Sequence, residues 1–236
     1  MYHRKEVIGD CTLYLGDSLQ IMPMLEKVDC VVTDPPYPLT SGGNNTSELG
    51  GCLSKHNYNN DGKIVECNIT WKQINNMCYE ALKDNGNAYI MSNNRNLEKA
   101  LRWFRKSGFG FHNILVWDKC TVTPNRFYML GVEFGLFGYK GRARYINDMS
   151  LSNLFKAPNS KGNEHPTEKP VELMACWIEQ STDKGGLVID PFMGSGTTLV
   201  ACAKTGRKGI GIEIDKQYFD VACRRVEFAY RQGSLF

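Results

Sequence analysis

The chain has 236 residues, 42% of them hydrophobic and 22% charged, with a formal net charge of +3. At this size roughly 72% of the unfolded surface is buried on folding, so a core forms without disulfides or metals, and the composition excludes a disordered chain. No apolar run approaches the ~20 residues of a membrane helix, the first residues lack a secretory-signal pattern, and the nine cysteines form no Cys-x-x-Cys pair that would suggest zinc or a disulfide framework. The expectation is a soluble, reduced, cytoplasmic protein with no metal and no membrane partner.

In chain order, short apolar and β-branched runs predict strands over 12–16, 28–33, 87–92, 110–117, 132–139, 186–190 and 208–213. Helical periodicity falls at about 18–27, 69–84, 94–107, 169–182, 196–206 and 215–231. Buried strands alternating with helices predict an α/β, doubly wound, mainly parallel sheet of seven strands. No helix separates 110–117 from 132–139, which predicts an antiparallel hairpin at one edge. These elements use up the length, so a single domain over 1–236 is expected. Residues 38–63, rich in Asn, Gly and Ser, read as a loop long enough to be either functional or disordered.

Charge is unevenly spread. Residues 93–145 carry ten Lys/Arg against the three acids Glu98, Asp118 and Glu133, a net of +7, with aromatics interleaved. Such a segment suits a polyanion, and it equally suits a solvated helix face beside core aromatics. On the first reading, Arg142 and Arg144 are phosphate contacts.

In doubly wound sheets ligands bind beyond the carboxyl ends of the strands, and two segments at such positions are unusual. One is Asp190-Pro191-Phe192-Met193-Gly194-Ser195-Gly196-Thr197, between a strand and a helix. Gly194 and Gly196 permit a tight turn and close ligand approach. A further strand ends at Glu213, nineteen residues after Gly194, where an acid accepts hydrogen bonds from ribose hydroxyls. The third glycine of a dinucleotide fingerprint is missing, as is a phosphate-loop Lys. This pattern fits a nucleoside cofactor without a pyrophosphate better than a plain connecting turn. The other segment is Asp34-Pro35-Pro36-Tyr37, directly after the strand ending at Thr33. Consecutive prolines stiffen the backbone, so the Asp34 carboxylate and the Pro35 carbonyl make a two-acceptor clamp for an NH₂ group, with Tyr37 placed to stack on a flat partner. A stiff turn capping the sheet is the bland alternative.

Asp34-Pro35-Pro36-Tyr37 followed far downstream by Phe192-x-Gly194-x-Gly196 resembles the amino-group DNA methyltransferases that use S-adenosylmethionine, in the motif order of their permuted β subgroup. His165-Pro166-Thr167-Glu168-Lys169-Pro170 is similar to the family segment that holds the methionine end of the cofactor, with Glu168 where the family usually has Gln. Leu15-Gly16-Asp17 is similar to its short motif near the adenine of the cofactor. The resemblance implies a Rossmann-like methyltransferase fold. It also implies cofactor contacts from Asp17, His165, Thr167, Lys169, Asp190, Phe192, Gly194, Gly196, Thr197 and Glu213.

The implied activity is transfer of a methyl group to the N6 amine of an adenine flipped out of double-stranded DNA, because Asp at the first motif position leans to adenine in this family. Cytosine N4 methylation is the alternative within the class, and a catalytically silent nucleic-acid-binding module is the alternative outside it. Pro-Cys, the motif of carbon-5 methylation, is absent from the sequence. Readout of the target must come from residues 143–164, from the 38–63 loop, or from a second subunit of a homodimer. Within the loop, Lys55, His56, Asn57, Asn59 and Asn60 are the expected DNA donors. Within 143–164, Met149, Leu151, Leu154 and Phe155 are read as core rather than as recognition residues.

Overall fold

The computed structural model describes residues 2–36, 69–123, 128–158 and 168–233. Its centre is a nine-stranded sheet in the order β1-β2-β9-β8-β3-β4-β6-β5-β7. The strands are β1 (Arg4–Ile8), β2 (Cys11–Leu15), β3 (Val28–Thr33), β4 (Leu82–Ser92), β5 (Gly110–Thr123), β6 (Leu130–Tyr139), β7 (Leu154–Lys156), β8 (Leu187–Asp190) and β9 (Lys208–Glu213). Only β1 and β6 run against the rest, since β1 pairs antiparallel with β2 and β6 is antiparallel to both β4 and β5. The expected α/β class and mainly parallel sheet are present, but the strand number is nine rather than seven.

The two additional strands have a common physical origin. β1 reads RKEVI and is mostly exposed, so its charges hide the apolar signal of a strand that covers the sheet edge. β7 has three residues, too few to show a period of two. Because β7 pairs outside β5, the hairpin of β5 and β6 is not the edge that was expected.

Helices cover both faces. On one side lie α4 (Val171–Ser181), α5 (Thr197–Thr205) and α6 (Lys216–Gly233). On the other lie α1 (Ser18–Ile21), α2 (Trp71–Ala81) and α3 (Leu97–Lys106). Alternation along β4 makes the division visible: Tyr89 and Met91 pack with α4, α5 and α6, whereas Ala88 and Ile90 pack with α1, α2 and α3. Tyr89 stacks between Phe137 at 4.8 Å and Trp177 at 5.3 Å and shares a 2.7 Å hydrogen bond with Ser181, so truncating it to Ala would cost about 3–5 kcal/mol. α2 starts where Thr70 and Gln73 form a reciprocal capping box, a feature worth about 1 kcal/mol. No helix among the described residues is long and apolar enough to cross a membrane.

One reading of apolar residues as core is overturned. Met149 is 75% exposed, and Leu151 and Leu154 are each 44% exposed; only Phe155 packs against the core. In β7 the alternation turns the middle residue, Phe155, inward and Leu154 outward, and the segment before it runs over the surface, held by Asn147 to the carbonyls of Glu179 and Thr182.

Candidate active site

Parallel β2, β9, β8, β3 and β4 bring Asp17, Glu213, Asp190, Asp34 and Asn93 to one end of the sheet. Asp34 follows β3 directly. Its Oδ2 accepts a hydrogen bond from Lys169 Nζ at 2.5 Å, while its Oδ1 is buried and has no hydrogen-bond partner among the described residues. Lys169, just ahead of α4, lies 3.5 Å from Glu133 Oε2, and Glu133 Oε1 accepts from Lys119 Nζ at 2.5 Å. Four charges of alternating sign, none with more than a quarter of its side chain exposed, therefore end at an oxygen with no partner among the described residues. Burial pushes the Asp34 carboxyl up and Glu133 adds to the push, against the pull of Lys169 and Lys119. Burial also acts to raise Glu133, yet the two flanking ammonium groups outweigh it and hold that carboxyl below its ordinary range. Burial works to discharge Lys169, but Asp34 and Glu133 keep its ammonium raised. An acceptor fixed on one oxygen and open on the other suits an N–H donor.

One strand over, at a spacing of about 5 Å, the glycine turn joins β8, the neighbour of β3, to α5. Gly194 and Gly196 have φ of 52° and 82°, the left-handed region that favours glycine. Asp190 secures the turn from beneath: it accepts from Thr33 and Thr198 hydroxyls, each at 2.6 Å, and from the Phe192 N–H at 3.0 Å. Burial pushes its carboxyl up to about 6 despite these bonds. Glu213, at the end of β9, accepts the N–H of Gly194 at 2.9 Å and that of Asp215 at 2.8 Å. Burial raises it too, partly offset by those N–H groups. Asp17 lies alongside, where the Gly16 N–H bonds the Glu213 carbonyl, and its carboxylate caps α1 through the Leu19 N–H.

A family model for N6_N4_Mtase, described as DNA methylase, matches residues 28–224, which includes Asp34, Lys169, the glycine turn and Glu213. The chain belongs to the DNA methylase family. Among its relatives, type II methyltransferase M2.DpnII of Streptococcus pneumoniae is 30% identical over 228 residues, covering 86% of this chain and 83% of that one. The solved M1.HpyAVI–SAM complex superposes with a TM-score of 0.70 at 26% identity, over 92% of this chain and 98% of that one. The cytosine-N4-specific PvuII DNA methyltransferase shares the fold, with a TM-score of 0.75 at 18% identity over 98% and 96% of the two chains.

The methylase fold gathers some of the sequence-derived site residues and separates others. Asp34, Pro35 and Pro36 stand at the acceptor cluster, and Asp17, Phe192, Gly194 and Glu213 at the turn. Four residues read as cofactor contacts have other work in the structure. Both oxygens of Asp190 are taken by Thr33, Thr198 and Phe192, so it braces the turn. A Cβ at Gly196 would come within 2.9 Å of Ala222 Cβ, so that glycine admits α6 rather than a ligand. Thr197 is buried and accepts from Arg225 at 3.3 Å. Lys169 is committed to Asp34 and Glu133. Tyr37, Lys55, His56, Asn57, Asn59, Asn60, His165 and Thr167 lie outside the described residues.

The phosphate-contact reading of Arg142 and Arg144 is corrected. Both follow β6, and because β6 is antiparallel its carboxyl end lies at the opposite end of the sheet from Asp34. Arg144 pairs there with Asp183 at 3.1 Å. Lys119, counted in the same basic stretch, is spent inside the protein on Glu133. Sequence reasoning also missed Glu133, Lys119 and Arg225. Arg225 bonds the Ser195 carbonyl at 2.8 Å and Glu168 Oε1 at 2.5 Å, so Glu168 has a cationic partner that ties the start of α4 to the glycine turn. The available signal for Glu133 was an acid inside an otherwise apolar strand.

Proposed function

We propose that this chain transfers a methyl group from S-adenosylmethionine to the N6 amine of an adenine in double-stranded DNA. The observation that carries the reading is Asp34, a carboxylate with one oxygen pinned by Lys169 and the other buried without a hydrogen-bond partner among the described residues. The family membership supports DNA as substrate, and the SAM complex of M1.HpyAVI supports the cofactor.

The residues fit that cofactor. Glu213 is an acceptor-only carboxylate with lone pairs left over after its two N–H bonds, suited to ribose hydroxyls, and Gly194 beside it offers backbone without a side chain. Asp17 and Phe192 border the same place, and Thr167 and His165 belong to the segment that leads into Lys169. When bound, S-adenosylmethionine supplies an electrophilic methyl group. Asp34 Oδ1 accepts one N–H of the base amine and the Pro35 carbonyl the other, which localises the nitrogen lone pair. The catalysis is positioning and electrostatics, with no covalent link to the protein. Tyr37 stacks on the base once it has flipped out.

On this reading 1–236 is one catalytic domain in the cytoplasm, and Lys55, His56, Asn57, Asn59 and Asn60 in the 38–63 loop reach the DNA. Each bidentate base contact discriminates by about 1–3 kcal/mol, and so short a recognition surface fits a site of about two to four base pairs. The type II names of the relatives support a modification role beside a restriction enzyme. Incubating the protein with duplex DNA and labelled S-adenosylmethionine, then digesting to nucleosides for mass spectrometry, should yield N6-methyladenine. N4-methylcytosine alone would transfer the same clamp to the other amine, and no labelled nucleoside would leave a binding module.

A further inference from the structure

We propose that Glu133 is a positioning residue for methyl transfer: it is the second anion shared by Lys169, and it sets how much of that cation's charge falls on Asp34. The proposal rests on the function given above.

Neutralising Lys169 requires one acid, and Asp34 is already 2.5 Å from its Nζ. Glu133 is in excess of that need. Placing it on β6 buries another charge and brings a further cation, Lys119, which is itself largely buried. Extra buried ion pairs return little stability against their desolvation, so their presence at the reacting carboxylate calls for another role. The geometry supplies one. Glu133 Oε2 is buried, has no hydrogen bond among the described residues, and lies 3.5 Å from Lys169 Nζ. A small swing of the ammonium therefore exchanges Asp34 for Glu133.

That exchange matches the charge changes of the reaction. The amine nitrogen becomes cationic as its bond to the methyl carbon forms and the carbon–sulfur bond breaks. The nitrogen then gives a proton to the Asp34 carboxylate, leaving a neutral secondary amine and a neutral Asp34, which later passes the proton to water. While Asp34 is neutral, Lys169 needs another counter-charge, and Glu133 provides it. The charged groups around Asp34 are Lys169 ahead of α4, Glu133 on β6, Lys119 on β5 and Asp190 on β8.

The test is Glu133→Gln in the full chain. Under saturation with duplex DNA and S-adenosylmethionine, kcat should fall by roughly 10- to 100-fold, the scale for a misplaced reacting group, with both KM values nearly unchanged. The acid limb of the kcat profile should move to lower pH, because Asp34 has lost a negative neighbour. Glu133→Asp should return the limb towards wild type. Should Glu133→Gln fold poorly, the double variant with Lys119→Met removes the pair together and should move the limb in the same direction. An unmoved limb with kcat within about twofold of wild type overturns the proposal. Carboxyl ¹³C NMR of aspartate-labelled protein separates this outcome from failure of the function itself, with the Asp34 signal assigned by its loss in Asp34→Asn. A downward move of the Asp34 midpoint in Glu133→Gln supports the coupling even if the wild type methylates nothing, and a stationary midpoint overturns it even if the wild type is active.

Discussion

The acceptor cluster at Asp34 and the turn at Asp190 each centre on an aspartate at the carboxyl end of one of two neighbouring strands, yet they are finished differently. Asp190 has hydrogen bonds on both oxygens from two threonines and a backbone N–H. Asp34 has an ammonium on one oxygen and, among the described residues, no hydrogen bond on the other. Leaving a buried acceptor unmatched costs about 1–3 kcal/mol, and a structural carboxylate has no use for that expense. Two aspartates on neighbouring strands thus divide into a brace and a tool, and the division is read from their unspent lone pairs.

The sharpest way to break this division is a crossed pair of variants. Asp34→Ala should lower methyl transfer by at least about a hundredfold, the scale of losing a positioned electrostatic group, while cofactor affinity by calorimetry stays near wild type. Glu213→Ala should do the reverse, weakening cofactor binding by about 1–3 kcal/mol and sparing turnover at saturation. Matching losses in both assays from either variant would merge the two regions into one.

Asp190 offers a second contrast, in stability. Its folded-state carboxyl stands at about 6, above an unfolded value of about 3.9. The folded chain therefore holds that proton more tightly. The contribution to stability is fully present below about pH 4 and is lost as pH rises through about 6, a change of about 3 kcal/mol. Urea unfolding of wild type and Asp190→Asn across this window should show the wild type losing stability relative to the variant as pH rises. A difference that stays constant would deny the brace its buried charge.

The smallest effect is expected at the far end of the sheet. Replacing Arg142 and Arg144 with Ala removes one exposed ion pair, worth at most about 1 kcal/mol, and should leave DNA affinity and its salt slope unchanged within about half a unit. A slope reduced by about two units would return these arginines to the DNA interface.

What the sequence conveys and what it withholds follow from range. Asp34-Pro35-Pro36 and the Gly194–Gly196 turn are legible because their geometry is local: prolines and left-handed glycines act within a few residues. The framework role of Asp190 is not legible, since Thr33 lies 157 positions away. Arg142 was misplaced because charge summed along a chain ignores strand direction, and antiparallel β6 carries its end away from the site. Glu133 read as one acid opposing a basic run, although its partners Lys119 and Lys169 come from β5 and from the approach to α4. β1 and β7 escaped because an edge strand need not be apolar and a three-residue strand shows no period.

The meeting of Gly196 with Ala222 has a consequence for how this methylase could be adjusted. The two positions share one small space between the turn and α6, with 2.9 Å between a Cβ built at 196 and the Ala222 Cβ. Size at 222 therefore bears on the glycine turn from the α6 side. A larger side chain at 222, as in Ala222→Val, should crowd the turn from α6, and calorimetry of cofactor binding to that variant would read how far the crowding carries.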